Sequence, residues 1–223
     1  MLLLATDTSG KHGSIALARG TPDGSCDVLE AIPLAGGTFS AQLVPQVAAL
    51  LSKHGFTKHD LGAFAVASGP GSFTGLRVGL AAIKALAEVL RKPIAAVSLL
   101  EAVAIAGKSP GKVVAAMDAG RGEVYAGAYE IGEIATCLSE RLLTQGEFLV
   151  SANQHTIVTP DQSIAAAARS AGLQVKEVDR PRSDTIARLG WKKVLAGETV
   201  SSEALEANYI RRTDAEIFSK GSR

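Results

Sequence analysis

The chain has 223 residues, a length that allows one large domain or two smaller lobes with a sizeable core. Hydrophobic residues make up 47% of it and aromatic residues only 4%, which favours a packed α/β protein and excludes a disordered or coiled-coil chain. The formal net charge is +1, so the chain has no overall field that would draw it onto nucleic acid or a membrane.

The beginning of the sequence predicts a three-stranded antiparallel meander followed by a helix. Residues 2–8 form an apolar run typical of a buried central strand, residues 13–19 alternate, and residues 26–32 follow a Pro-Asp-Gly turn signal. The helix covers residues 40–54, and Pro45 marks either a kink or its true first turn. Its apolar stripe consists of Leu43, Val47 and Leu50.

A glycine-rich turn, residues 68–79 (SGPGSFTGLRVG), separates an apolar strand at residues 61–67 from a strongly periodic helix. Such a turn presents backbone amides that suit an anion. No Lys-Ser or Lys-Thr follows its second glycine, so it is not a Walker-type phosphate loop. Gly75 and Gly79 each destabilise the helix by about 1 kcal/mol relative to alanine. Close packing against another backbone and binding of a ligand both remain open as reasons.

The second half of the sequence repeats the order of the first. The first half closes with a strand at residues 94–97 and a helix that Ser98 and Glu101 open as a capping box. The repeat then begins about 110 residues after the first copy. Its segments are strands at residues 112–119, 122–130 and 135–143, a helix opened by Thr144 and Glu147, a strand at 156–159, a helix at 161–171, a strand at 173–178 and a helix at 183–196.

Each copy carries an aspartate at the end of its first strand, Asp7 in one and Asp118 in the other. Two tandem units with this feature resemble the actin-like ATPase fold, also called the ASKHA or ribonuclease H-like fold. We therefore predict an α/β protein with two tandem lobes, residues 1–108 and 109–223, each a mixed sheet flanked by helices. In that fold a nucleotide lies between the lobes, although the fold alone does not establish function.

Two polar loops are the candidates for a vestigial nucleotide cleft. In the first, Asp7, Thr8 and Ser9 could orient a metal or water at a phosphate, or simply close a hairpin. In the second, Asp118 and Arg121 could touch a nucleotide or a partner, or form an ordinary turn with a solvated Arg–Glu pair. We expect no catalytic residue and no metal site, because the four histidines lack helical metal spacing and no nucleophile dyad is visible.

Three further features bear on the setting and on partners. Cys26 and Cys137 have no metal or redox spacing, and without a signal-peptide pattern we expect a reduced, cytoplasmic protein. The longest apolar stretch, residues 94–100, is too short to cross a membrane. A basic neighbourhood near the last helix is interpreted most simply as a solvent-exposed face. Aromatic residues that could stack on RNA bases are scarce. The basic neighbourhood comprises Arg180, Arg182, Arg188, Lys192 and Lys193, with Arg211 and Arg212 further on.

Four segments match one family in order: LATDTS with SIAL, SGPGSFTGLRVG, MDAGRGEVY and, more loosely, LEANYIRR. Together they resemble the bacterial TsaB family, also called YeaZ, over nearly the whole chain. TsaB is similar in fold to its paralogue TsaD, which transfers a threonylcarbamoyl group to the adenosine next to the anticodon of tRNAs reading codons that begin with A. Family members often carry His-Ser-Glu where this chain has Phe39-Ser40-Ala41.

The resemblance implies a non-catalytic scaffold subunit with no cofactor of its own. It implies action with TsaD and TsaE, in which the partner subunits use ATP, and contact with tRNA only through the complex. The alternative is a free-standing ATPase or phosphotransferase of the actin-like fold, which would need metal-binding carboxylates and a glycine-rich grip in both loops. A metalloprotease is disfavoured because its ligands are missing.

The resemblance also implies a homodimer when the chain is alone, and a four-helix interface with its partner. Gly75, Gly79 and Ala82 form a small-residue face that is interpreted as spare, because Leu76 and its stripe supply the core contact. A leucine at Gly79 is expected to leave the monomer folded and to weaken pairing. The predicted interface consists of Leu43, Val47, Leu50, Gly75, Gly79 and Ala82.

Overall fold

The computed structural model describes residues 1–210, and no helix in this range is long and apolar enough to cross a membrane. The elements of the first half are β1 (Leu2–Asp7), β2 (Gly13–Gly20), β3 (Cys26–Leu34), α1 (Phe39–Lys53), β4 (Leu61–Gly69), α2 (Phe73–Leu90), β5 (Ile94–Ser98) and α3 (Leu99–Ala106). Those of the second half are β6 (Gly111–Gly120), β7 (Glu123–Ile131), β8 (Ala135–Thr144), α4 (Gln145–Ser151), β9 (Thr156–Thr159), α5 (Gln162–Ser170), β10 (Val175–Glu177) and α6 (Ser183–Leu195).

Both halves have the predicted order of strands and helices, and their sheets have the same topology. The first sheet runs β3-β2-β1-β4-β5 and the second runs β8-β7-β6-β9-β10. In each sheet the three hairpin strands pair antiparallel, and the two later strands pair parallel. Two mixed sheets flanked by helices are therefore confirmed, as is the internal repeat.

Strands β1 and β4 lie in the middle of the first sheet and are buried almost throughout, as expected for apolar runs covered on both faces. Helices α1 and α2 contact each other and pack on one face, where Leu43, Val47, Leu76 and Ile83 belong to the same buried cluster. Helix α6 packs on the other face of the sheet, where many of the buried strand residues are alanines. Gly190 of α6 rests against the Ala65 side chain, so this helix approaches the strands closely.

The chain divides into two compact units whose limits differ from the predicted lobes. Among the described residues, the first unit contains 1–102 and 180–207, and the second contains 103–179 and 208–210. The helix that ends the second repeat thus belongs to the first unit, because it covers the open face of the first sheet. Sequence order alone assigns α6 to the second lobe, where the repeat places it.

The second unit has its own core beneath α4 and α5. Val114, Val124, Phe148 and Ile157 are buried in one cluster on that side of the sheet. At the start of α4, the Thr144 hydroxyl accepts a hydrogen bond from the Glu147 N–H at 3.3 Å, and the Glu147 carboxylate accepts one from the Thr144 N–H at 2.8 Å. The predicted capping box is therefore present.

Candidate functional site

Asp7 ends β1 and its side chain is almost completely buried. The carboxylate Oδ1 accepts a hydrogen bond from the Ser9 N–H at 2.9 Å and another from the Ser9 hydroxyl at 2.6 Å. Burial raises the pKa of the Asp7 carboxyl, and the Ser9 hydrogen bonds and the Arg180 charge only partly offset that effect. Asp7 is thus hydrogen-bonded within its own hairpin, the arrangement of the alternative in which it closes the turn, and its place in a nucleotide cleft stays a prediction.

The turn after Asp7 is fastened to the beginning of α2. The Thr8 hydroxyl donates to the Gly75 carbonyl oxygen at 2.7 Å, and the Ser72 N–H donates to the Ser9 carbonyl oxygen at 2.7 Å. Thr8 and Ser9 are each 2% exposed, so both bonds lie away from solvent. These bonds fix the hairpin loop and the first turns of the helix to each other.

The glycines of the turn are explained by this contact. A Cβ at Gly75 would lie less than 3.0 Å from the Thr8 carbonyl oxygen, and one at Gly79 would lie equally close to the Thr8 hydroxyl. A Cβ at Gly71 would come within 2.5 Å of the Ser9 carbonyl oxygen. Of the two reasons that the sequence left open, the structure therefore supplies close packing inside the chain. Ser72 caps the helix, with its hydroxyl accepting from the Gly75 N–H at 3.3 Å.

The residues named for the partner interface lie inside the first unit. Leu43, Val47 and Leu50 are core residues, and Ala82 packs partly buried against the same cluster. The interpretation of the glycine face as spare is wrong, because Thr8 fills it, and a leucine at Gly79 would strain the monomer itself. The existence of an interface on these helices stays a prediction, and other residues of α1 and α2 would have to form it.

The outward faces of α1 and α2 are mostly small or apolar. Val44 is 54% exposed and Val89 is 73% exposed. The Phe73 ring is partly exposed, and the Arg77 guanidinium stacks on it at 3.8 Å from the ring centre. We call this surface the α1–α2 outer face. Its members are Ala41, Val44, Pro45 and Ala48 of α1 and Phe73, Arg77, Ala81, Ala85 and Val89 of α2.

The loop of the second unit differs in character from the first. Asp118 is exposed near the end of β6, and its Oδ1 accepts from the Gly120 N–H at 2.8 Å. Its own N–H donates to the Asp161 carboxylate at 2.8 Å. Arg121 is exposed between two glycines and adopts a left-handed backbone conformation, with φ of 57°. Asp118 and Arg121 therefore share one exposed hairpin turn, while Asp7, Thr8 and Ser9 form the closed loop of the other unit.

The sequence gives no signal for one further polar contact in the first unit. The Ser183 N–H, at the start of α6, donates to the hydroxyl of Ser14 in β2 at 2.9 Å. Ser14 and Ser183 are 169 positions apart in the sequence. The bond from the Asp118 N–H to the Asp161 carboxylate likewise joins residues 43 positions apart. Neither contact follows from local spacing, because each joins elements that meet only in the folded chain.

Comparison with known proteins places the chain in a family. A family model described as "TsaD: tRNA N6-adenosine threonylcarbamoyltransferase" matches residues 33–154, more than half of the chain. The Bacillus subtilis (strain 168) protein named tRNA threonylcarbamoyladenosine biosynthesis protein TsaB is 36% identical over 182 residues, which are 81% of this chain and 69% of the relative. The chain belongs to the TsaB family.

Two further similarities extend over almost the full length. The Escherichia coli (strain K12) protein of the same name is 28% identical over 228 residues, which cover 96% of each chain. The structure of YeaZ from Pseudomonas aeruginosa aligns with a TM-score of 0.76 and 26% identity, and the alignment covers 93% of this chain and 99% of that one. The predicted TsaB assignment and the actin-like fold are confirmed.

The remaining candidates from the sequence are a metal site, the basic neighbourhood and Phe39. Residues 1–210 contain no group of three or more His, Cys, Asp or Glu side chains that could hold a metal ion. In the basic neighbourhood, Arg188 pairs with Asp184 at 3.2 Å and Lys193 pairs with Glu101 at 3.2 Å. Arg211 and Arg212 lie outside the described residues. Phe39 is a buried core residue that contacts Gly13.

Proposed function

We propose that the chain is a non-catalytic subunit in the biosynthesis of tRNA threonylcarbamoyladenosine. In this proposal it acts in the cytoplasm with a TsaD-like transferase and a TsaE-like ATPase. The product is the adenosine modified next to the anticodon of tRNAs reading codons that begin with A. The support is membership of the TsaB family, whose curated relatives carry that pathway in their names, together with the match to the TsaD family model.

The closed first loop is the observation that carries the non-catalytic role. In an ATPase of this fold, the loop after the first strand has to present its backbone amides and its aspartate to phosphate or metal. Here the Ser9 N–H and hydroxyl both donate hydrogen bonds to the Asp7 carboxylate, and the Ser72 N–H donates to the Ser9 carbonyl oxygen. The Thr8 hydroxyl donates to the Gly75 carbonyl oxygen. A phosphate could take these groups as partners only if the buried bonds broke, so the geometry favours a structural use of them.

The α1–α2 outer face is the surface that we assign to partner docking. It lies opposite the buried cluster to which both helices contribute, and it exposes valines and a phenylalanine among small residues. Such a surface allows close approach of two further helices and gains affinity from apolar burial around an aromatic residue. We propose that the same face pairs two copies of the chain when it is alone and meets TsaD in the complex. Contact with tRNA and use of ATP then belong to the assembled complex.

Reconstitution tests the proposal. Purified TsaD, TsaE, ATP and unmodified tRNA are combined with and without the chain, and the modified nucleoside is measured by mass spectrometry. Product should require the chain, and Asp7→Asn should leave product formation unchanged. Val44→Glu should weaken association with TsaD by about tenfold or more, because it places a charge in an apolar contact. The matched control is Val150→Glu, at a valine on α4 that is also exposed, which should bind normally.

The same experiment separates the alternative function. A free-standing ATPase would release phosphate without partners at a rate near roughly 1 s⁻¹, within the ordinary range of enzymes. If the purified chain shows such turnover and Asp7→Asn abolishes it, the non-catalytic assignment is wrong. Formation of the modified nucleoside without the chain would also overturn the proposed role.

A further inference from the structure

The contact between Thr8 and α2 joins the closed loop to the docking surface. Gly75 and Gly79 are one helical turn apart, and a Cβ at either position would strike Thr8. The three atoms nearest to the Gly79 position all belong to the Thr8 side chain. Over this turn of α2, the glycine side of the helix therefore lies against one threonine.

The outward side of this same stretch of α2 belongs to the α1–α2 outer face. Phe73 and Arg77 are four positions apart, as Gly75 and Gly79 are, and they stack on each other at the surface. Because a helix moves as a rigid rod over two turns, a shift of the glycine side shifts this aromatic pair by a similar distance. The position of the Phe73 ring thus depends on the packing of Gly75 and Gly79 against Thr8.

The first half of α2 is held by hydrogen bonds in addition to apolar packing. In the later half, Ile83 and Ala87 are buried in the apolar cluster. In the first half, Leu76 and Leu80 are buried in the same cluster, and the bonds to Thr8 and Ser9 tie this half to the hairpin loop as well. The Thr8 hydroxyl is a second donor to the Gly75 carbonyl, beside the N–H of the helix itself four residues on, so its removal breaks the bond between loop and helix and should loosen the first half selectively.

We propose that Thr8 is a positioning residue for partner docking: through Gly75 and Gly79 it sets the place of the Phe73–Arg77 pair on the α1–α2 outer face. This inference rests on the proposed docking function and adds the element that keeps the face in a binding-competent arrangement. The loop that would bind phosphate in an ATPase of this fold here holds the first turns of the docking helix in place.

The test compares Thr8→Ala, Thr8→Ser and Ser14→Ala in the full chain. Thr8→Ser keeps the hydroxyl, and Ser14→Ala removes another buried hydroxyl of the same hairpin, one that is bonded to α6 and not to α2. Two quantities are measured: the dissociation constant for a second copy and for purified TsaD, by sedimentation, and amide hydrogen exchange along α2. Val44→Glu is run in parallel as the probe of the outer face.

Thr8→Ala should weaken association about 3- to 10-fold, because the binding-competent arrangement becomes less populated. It should raise exchange over residues 75–80 and leave residues 85–90 unchanged. Thr8→Ser and Ser14→Ala should each change association by less than about twofold. The result with Thr8→Ser keeps the test decisive even if Thr8→Ala fails to fold, because loss of binding in Thr8→Ser would overturn the role of the hydroxyl.

The outcomes separate this inference from the function on which it rests. If Val44→Glu weakens association and Thr8→Ala does not, docking stands and the role of Thr8 is overturned. If neither variant changes association, the docking face and the inference are both overturned. Weakened association in Ser14→Ala equal to that in Thr8→Ala would show general destabilisation of the hairpin, which also rejects a positioning role.

Discussion

Gly75→Ala should destabilise the chain, although alanine is the better helix former. Gly75 is the third residue of α2, where glycine is disfavoured by up to about 1 kcal/mol relative to alanine. At an ordinary helix position the substitution would therefore stabilise the protein. Here a Cβ would stand less than 3.0 Å from the Thr8 carbonyl oxygen, whereas ordinary contact begins at 3.4 Å.

The size of the effect follows from what has to move. The obstructing atom belongs to the backbone of a buried turn, so it cannot swing aside as the end of a long side chain can. Overpacking of this kind destabilises by about 1–3 kcal/mol, and displacing the turn also weakens the Thr8–Gly75 hydrogen bond, worth about 0.5–1.5 kcal/mol. After subtraction of the helix gain, the net loss is about 0.5–3.5 kcal/mol, or a Tm lower by about 1–14 °C.

Thermal and urea unfolding followed by circular dichroism would measure this loss. Gly146→Ala is the matched control, because Gly146 lies in α4 with nothing within 4 Å of its Cβ position. The control should leave Tm unchanged or raise it slightly, because alanine in place of glycine in a helix adds up to about 1 kcal/mol to the free energy of unfolding. If Gly75→Ala raises Tm as much as Gly146→Ala does, the close approach of the loop to the helix is refuted.

Three further predictions concern the core, the buried carboxyl and RNA. Leu205→Ala should reduce the free energy of unfolding in urea by about 2–5 kcal/mol, because Leu205 is 1% exposed in the first core, while Leu195→Ala at an exposed site should change it by less than about 0.5 kcal/mol. Burial raises the pKa of the Asp7 carboxyl, so the folded chain holds that proton more tightly than the unfolded chain does. The protonated carboxyl therefore adds to the free energy of unfolding at low pH, and this addition is lost as pH rises above about 4 toward the folded-state pKa. Asp7→Asn should remove that loss in urea titrations from pH 4 to 8, and an unchanged pH profile would contradict the burial of the carboxyl. Titration of the lone chain with labelled tRNA should show weak binding that declines steeply with salt, in keeping with the net charge of +1, whereas tight binding would mean that the basic groups near Arg188 have a larger role.

Local sequence patterns determined the elements of this protein and their order. Strand alternation, apolar runs and capping signals are properties of neighbouring residues, and they predicted the three strands, the helices and the repeat in both halves. The capping box at Thr144 and Glu147 is an example, because its two partners are three positions apart. The family followed from short motifs that can be read in one dimension.

Only the tertiary structure decided which faces are buried and which residues meet. The apolar stripe of Leu43, Val47 and Leu50 can face a core or a partner equally well in sequence, and packing on the first sheet assigns it to the core. The glycines of α2 signalled a close neighbour, but Thr8 lies 67 positions from Gly75. Helix α6 likewise joins the first unit, because the uncovered face of that sheet is completed by a distant segment. Contacts between distant segments depend on the three-dimensional arrangement of the elements, which local propensity does not encode.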